Sequence, residues 1–383
     1  MPRRLPLKYI FIVVLLLALF VAGIVARRVA DPYLRAASIL TRFNDPHASG
    51  FAASFARQPY REDIGSAQTP QGTILFRLYI PQNVSHPPAM VLLHGVHHLG
   101  MQEPRLVSFA EALAGAGIEV MTPELQDLAD YKVTPRTIDV IGYSAVILST
   151  KVDARVGVMG LSFAGGMSLL AAAKPEYADK IGFVAAIGAH DDMSRVARFF
   201  AANYIEEPDG SSRPFPAHEY GVLVLAYSHL DHFFSPPDIP AAQDALRLWL
   251  WEKPKEAEAV AQKLSAPGQN EFDELVHHRE LLVQQFMTEI DRHRTEMDAV
   301  SPHGHLAALH VPVYLLHGSG DAVIPASETE WLARDVPAQD LKAALISPAL
   351  IHVNMEEGIP LREKWDLVHF LGQVVKAADN LQH

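Results

Sequence analysis

Apolar and polar residues alternate from Thr73 to Ile80, a run that stops at Pro81 and predicts an antiparallel strand with one covered face. The next apolar stretch, Ala89 to Leu93, does not alternate and ends in His94-Gly95, which is the pattern of a short strand buried on both faces of a parallel sheet. From there the rhythm repeats. A helical period over Arg105 to Ala116 leads to the strand-like Ile118 to Met121. A helix from about Arg136 to Thr150 leads to the apolar run Arg155 to Met159, and helix-like Met167 to Ala173 leads to Ile181 to Ile187. Strands and helices alternating at this spacing predict an α/β class: a mostly parallel, doubly wound sheet with helices on both faces.

Between Asp191 and Leu306 the rhythm is lost. Helical segments such as Ala242 to Trp251, Lys255 to Leu264 and Glu271 to Val300 replace it, and strands resume only at Val311 to Leu316 and Leu341 to Ile346, before an amphipathic closing helix, Leu361 to Ala377. Residues 191–306 therefore read as a helical cap inserted into a core of 61–190 and 307–383. Within the cap, the run Leu246 to Trp251 reads as the buried face of a helix.

At the other end, Ile10 to Ala26 is a stretch of 17 residues without a charge, between Arg3, Arg4 and Lys8 before it and Arg27 and Arg28 after it. As a helix it spans ~25 Å, which Leu5, Leu7 and a snorkelling Lys8 extend toward the ~30 Å of a hydrocarbon core. Residues 1–28 are thus expected to be a transmembrane anchor, and 29–60 a linker with a short helix. A short basic tail left in the cytoplasm places the rest of the chain on the extracytoplasmic, periplasmic side. The alternative is a signal peptide cleaved near Val21-Ala22-Gly23 and a secreted product.

Composition narrows the chemistry. With 44 acidic against 32 basic residues the net charge is −12, and no basic stripe is visible, so nucleic acid is not an expected partner. The absence of cysteine excludes disulfides, a thiol nucleophile and Cys-ligated zinc. Histidine is abundant, 19 residues, with pairs such as His229-x-Asp231-His232, but no helix carries His-Glu-x-x-His, so neither a metal nor a cofactor is expected.

One heptapeptide carries the chemical signal. Gly160-Leu161-Ser162-Phe163-Ala164-Gly165-Gly166 joins a predicted strand to a predicted helix, and a serine flanked by small residues at such a turn is exposed as a nucleophile. Asp321 follows the strand ending in His317-Gly318, at the carboxyl edge where open α/β sheets meet ligands. His352 follows the last strand, after the loop 347–351. Serine, acid and histidine come in the order this architecture uses.

On His94-Gly95, the Gly160 to Ala164 elbow, the His317 to Pro325 turn and His352, the chain from about Arg61 onward resembles the α/β-hydrolases, of the serine esterase and dienelactone-hydrolase-like kind. Two positions depart from that family: Ala164 stands where many members have glycine, and Ser162 where dienelactone hydrolases proper use cysteine, which points to an ordinary serine esterase. The resemblance implies a small acyl substrate, an ester or related acyl bond, with thioester, amide and acyl-transfer chemistry open to the same triad. His352 then serves as base, Asp321 as its orienting acid, and the N–H groups of Phe163 and Val96 as the oxyanion hole. His94, Gly95, His97 and His98 are candidate substrate contacts. His190-Asp191-Asp192 reads as a helix cap or a pocket lining, and Glu124 to Asp130 as an acidic border of the site. A non-catalytic binding domain on the same fold is the reading from another class.

Overall fold

The computed structural model describes residues 7–351, 354–355 and 360–382. Its main sheet has eight strands: β1 (Tyr60–Thr69), β2 (Gly72–Pro81), β3 (Ala89–Leu93), β4 (Glu119–Pro123), β5 (Val156–Leu161), β6 (Ile181–Ile187), β7 (Val313–Gly318) and β8 (Leu341–Ser347). Their spatial order is β1-β2-β4-β3-β5-β6-β7-β8. The β1–β2 hairpin and the β2–β4 pair are antiparallel, and from β4 onward every pair is parallel. All residues of β3, and those of β5 up to Gly160, are buried, as unalternated apolar runs demand. The chain leaves β3 toward β4 on one side and returns as β5 on the other. Strand order therefore reverses between β3 and β5, and a crevice opens at their carboxyl ends.

The main helices are α1 (Leu7–Asn44), α2 (Pro104–Gly115), α3 (Pro135–Val152), α4 (Phe163–Ala173), α5 (Met193–Ala202), α6 (Tyr220–Ser228), α7 (Ile239–Leu250), α8 (Pro254–Ala261), α9 (Ala266–His277), α10 (Val283–Arg292), α11 (Ser327–Asp335) and α12 (Leu361–Asp379). Helices α3 and α4 cover one face of the sheet and merge with the cap in a single apolar cluster. Helices α1, α2 and α12 cover the other face.

Three expectations need correction. Residues 29–44 are not a linker, because α1 continues to Asn44 through Pro32. Its second half belongs to the body: Ala36 and Ile39 are fully buried, and Arg35 bonds the Ala116 carbonyl at 2.8 Å and both Asp379 oxygens at 2.9 and 2.8 Å. Among the described residues no helix is long and apolar enough to cross a membrane, and most side chains of the Ile10 to Ala26 run lie outside those described. Second, the expected helix Glu271 to Val300 is broken twice. His278 (φ −132°, ψ 35°) ends α9 and His293 (φ −98°, ψ 17°) ends α10, each leaving helical geometry. Third, the loop after β8 contains pairing: Leu350–Ile351 lies antiparallel to Asn354–Met355. The cap also holds a small hairpin of Tyr204–Glu206 and Ser212–Pro214 that no alternation announced.

Candidate active site

Ser162 stands between β5 and α4 with φ 56° and ψ −134°, a region that L residues rarely adopt and that costs about 1–3 kcal/mol. The surrounding sequence makes the turn possible. A Cβ on Gly160 would lie 2.5 Å from the Ala164 carbonyl oxygen, and one on Gly165 2.8 Å from the Ala189 Cβ. Ala164 itself fits, fully buried, so the departure at this position is tolerated. The Ser162 N–H donates to the Ile187 carbonyl at 2.8 Å, and the Gly165 N–H donates back to the Ser162 carbonyl at 2.9 Å. Strand β6 and the first turn of α4 therefore hold the serine from both sides.

The loop after β3 runs directly past it. A Cβ on Gly95 would stand 2.9 Å from the Ser162 Cβ, so only glycine lets this backbone approach. Val96 follows in the wall of the same crevice. Phe163 begins α4, and its N–H is one of the four that a helix cannot satisfy internally.

Asp321 is buried beyond β7, on the same sheet edge. Its Oδ1 accepts the N–H groups of Val323 at 2.8 Å and Ile324 at 3.0 Å, which fixes the carboxylate plane. His317 approaches Oδ2 at 3.5 Å, but its two ring nitrogens are engaged by Ile324 O at 2.9 Å and Thr329 Oγ1 at 2.7 Å. His352 lies outside the described residues.

His94 is buried and turned to a structural task. Its Nε2 accepts the Leu125 N–H at 3.0 Å, so Nδ1 carries the proton and donates to Gly95 O at 2.7 Å. Burial pushes its pKa down, and the neutral ring braces the loop, leaving no nitrogen for a ligand. His94 nonetheless lines the cavity beside Ser162. His97 lines the cavity and stacks on His98, which stacks on Trp251 of the cap, with centroids 4.7 and 5.3 Å apart.

Above Ser162 lies a cavity of about 510 Å³. Cap residues Tyr220, Leu223, Trp249 and Leu250 make its apolar walls; Glu103, Arg105 and Glu252 also line it. Sequence reasoning missed Tyr131 and Tyr220 altogether, because no motif marks a lone tyrosine. Tyr131, at φ 58°, donates its hydroxyl to Leu250 O at 2.8 Å and ties core to cap; burial raises its pKa to about 12. Tyr220 is also raised, first by burial and then by the Asp321 charge.

Of His190-Asp191-Asp192, only Asp192 is a helix cap, accepting the N–H of Ser194 at 2.7 Å and Arg195 at 3.1 Å. Asp191 enters a buried ionic group with Arg195 (2.8 Å) and Glu328 instead of the cavity. Burial, and then the Glu328 charge, raise its pKa to about 7. Because the folded chain holds this proton where the unfolded chain has lost it, stability falls as pH rises from ~4 to ~7. In Asp191→Asn that loss should disappear, so variant minus wild-type melting temperature should climb across this window.

No family model matches the chain, and no curated protein is similar to it in sequence. Solved structures are similar in fold. A candidate hydrolase of Legionella pneumophila superposes with a TM-score of 0.53 at 15% identity, over 84% of this chain and 91% of that one. An esterase of Pyrobaculum calidifontis (TM-score 0.47, 15% identity, 91% and 90% covered) and a candidate lipase of Acinetobacter baumannii (0.45, 15%, 85% and 94%) superpose more loosely and carry no argument. At such identities the likeness establishes the fold alone.

Proposed function

We propose that this chain, which has the α/β-hydrolase fold, is a serine hydrolase that cleaves a carboxylic ester or related acyl bond through an acyl-enzyme on Ser162. The observation that carries the reading is the strained φ 56° serine at the foot of a largely apolar cavity. An alcohol is a poor nucleophile at its own pKa, so His352 takes its proton as the Oγ–C bond forms. Asp321, held by two backbone N–H groups, orients that imidazole and stabilises its cationic form. The oxyanion is met by the N–H groups of Val96 and Phe163. Collapse of the tetrahedral species breaks the bond to the leaving alcohol, which takes the proton from His352. Water then repeats the sequence and frees the acid. We also propose Ile10 to Ala26 as the membrane anchor, with the body of the chain on the extracytoplasmic side.

A fluorophosphonate probe tests the reading. Labelling should fall on Ser162 and vanish in His352→Ala; folded wild-type protein that neither labels nor turns over short aryl esters overturns it.

The cap sets the acyl pocket. Leu223, buried in the cavity wall, predicts that Leu223→Trp shifts preference toward short acyl chains. The ratio of kcat/KM for acetyl over octanoyl esters should rise about tenfold or more. An unchanged ratio places the acyl chain elsewhere.

A further inference from the structure

The cap contains a second convergence of chemistry, apart from Ser162. The turn Leu230–His232 and α10 bring together three donor atoms: His232 Nδ1, Glu289 Oε2 and His293 Nε2. The two ring nitrogens are 3.4 Å apart, His293 Nε2 is 3.7 Å from Glu289 Oε2, and His232 Nδ1 is in direct contact with that same oxygen. We propose that these three residues hold a divalent transition-metal ion, zinc by its donor set. The assignment is independent of the hydrolase chemistry.

Three observations support it. Two of the three separations, 3.4 and 3.7 Å, are near the ~3.3 Å that tetrahedral zinc with bonds of about 2.0–2.1 Å sets between its ligand atoms; the third, His232 Nδ1 to Glu289 Oε2, is a closer contact that has to open as the ion enters. Two nitrogens and a carboxylate oxygen are a zinc donor set, and Glu289 and His293, four residues apart, present theirs from one side of α10. Carboxylates also stand near the outer nitrogens: His232 Nε2 is 3.7 Å from Asp231 Oδ2, and His293 Nδ1 is 3.3 Å from Glu296 Oε1. A metal-bound histidine ordinarily donates its second ring nitrogen's N–H to such a group, which here needs a small side-chain shift.

One proton, on His232 Nδ1, already satisfies its contact with Glu289 Oε2, while His293 Nε2, 3.7 Å from that oxygen, makes no hydrogen bond to it. A cation at the centre would take the place of that proton and engage all three donors. Glu289 is buried, and Arg292 reaches its two oxygens at 3.0 and 3.2 Å from the half-exposed side. His229 stacks on His293 at 3.6 Å between centroids and sets the plane of that ring. The ligands come from separate elements, which is why the sequence, read for a single-helix motif, gave no expectation of a metal. An ion here would pin to α10 the Leu230–His232 turn, which follows α6 in the chain; α6 supplies Leu223 to the catalytic cavity.

The test uses the full chain in mild detergent, any tag removed, stripped with chelator and titrated with zinc chloride. About one zinc per chain should bind at micromolar concentration and raise the melting temperature, and cobalt should give the strong visible absorption of a four-coordinate site. Glu289→Gln and His232→Gln should each weaken binding at least ~10-fold, whereas His303→Gln, at the separate Asp191 cluster, should not. A zinc Kd above ~100 µM in wild-type protein, or undiminished binding in both site variants, overturns the proposal.

Discussion

Ser162→Ala is expected to lower kcat/KM toward short aryl esters by at least ~10³-fold while leaving the melting temperature unchanged. Among the described residues the turn is held through the backbone of Ser162, by Ile187 O and by the Gly165 N–H, and alanine keeps both bonds. A second substitution separates strain from chemistry. Ser162→Gly should be equally inactive yet more stable by ~1 kcal/mol or more, because glycine adopts φ 56° without a Cβ clash. If Ser162→Ala kept its activity, the elbow would be a structural turn and another nucleophile would be needed. If Ser162→Gly were less stable than Ser162→Ala, the turn would not be storing strain, and the reason for placing a serine there would be lost.

Much of the core was legible because buried parallel strands leave an unmistakable trace. Ala89 to Leu93 has no polar position, and β3 is buried throughout; the elbow glycines mark positions where a Cβ would strike backbone. What alternation and periodicity miss is whatever depends on a distant partner. The second half of α1 looked like a linker because its polarity is mixed. It is helical because Ala36, Ile39 and Arg35 find α2 and, nearly the whole chain away, α12. Glu271 to Val300 has the composition of one helix, and only packing reveals the breaks at His278 and His293. His94 sits in a loop that suggests a substrate contact, yet the Leu125 N–H, 31 residues on, claims its free nitrogen. The cavity walls were illegible for the same reason: Tyr131, Tyr220 and Leu223 are ordinary residues in sequence, brought around one cavity only by the fold.

The other large effect should come from a residue that never touches the cavity. Glu328→Ala is expected to cost about 3–5 kcal/mol of stability, read as a lower urea midpoint with an unchanged slope. Glu328 is fully buried at the start of α11. Its Oε1 accepts Arg195 Nε at 2.5 Å, and its Oε2 accepts the N–H groups of Asp191 at 2.8 Å and Asp192 at 2.9 Å. Removing it strands two backbone donors and leaves one guanidinium to face Asp191 alone. His303, which faces Asp191 at 3.5 Å from a half-exposed position, should matter far less: His303→Ala should cost below ~1 kcal/mol. The damage from Glu328→Ala should travel toward the elbow, because His190, beside Asp191, packs so closely on α4 that a Cβ on Gly166 would lie 2.6 Å from its ring. A pH series identifies the cause. With the Glu328 charge gone, the Asp191 carboxyl should fall from about 7 toward the ordinary range, since that charge is the second reason, after burial, for its elevation. The loss of stability between pH ~4 and ~7 should then flatten in Glu328→Ala. A large destabilisation with the wild-type pH slope retained would mean that Glu328 acts by filling space, and the electrostatic account of this cluster would fail.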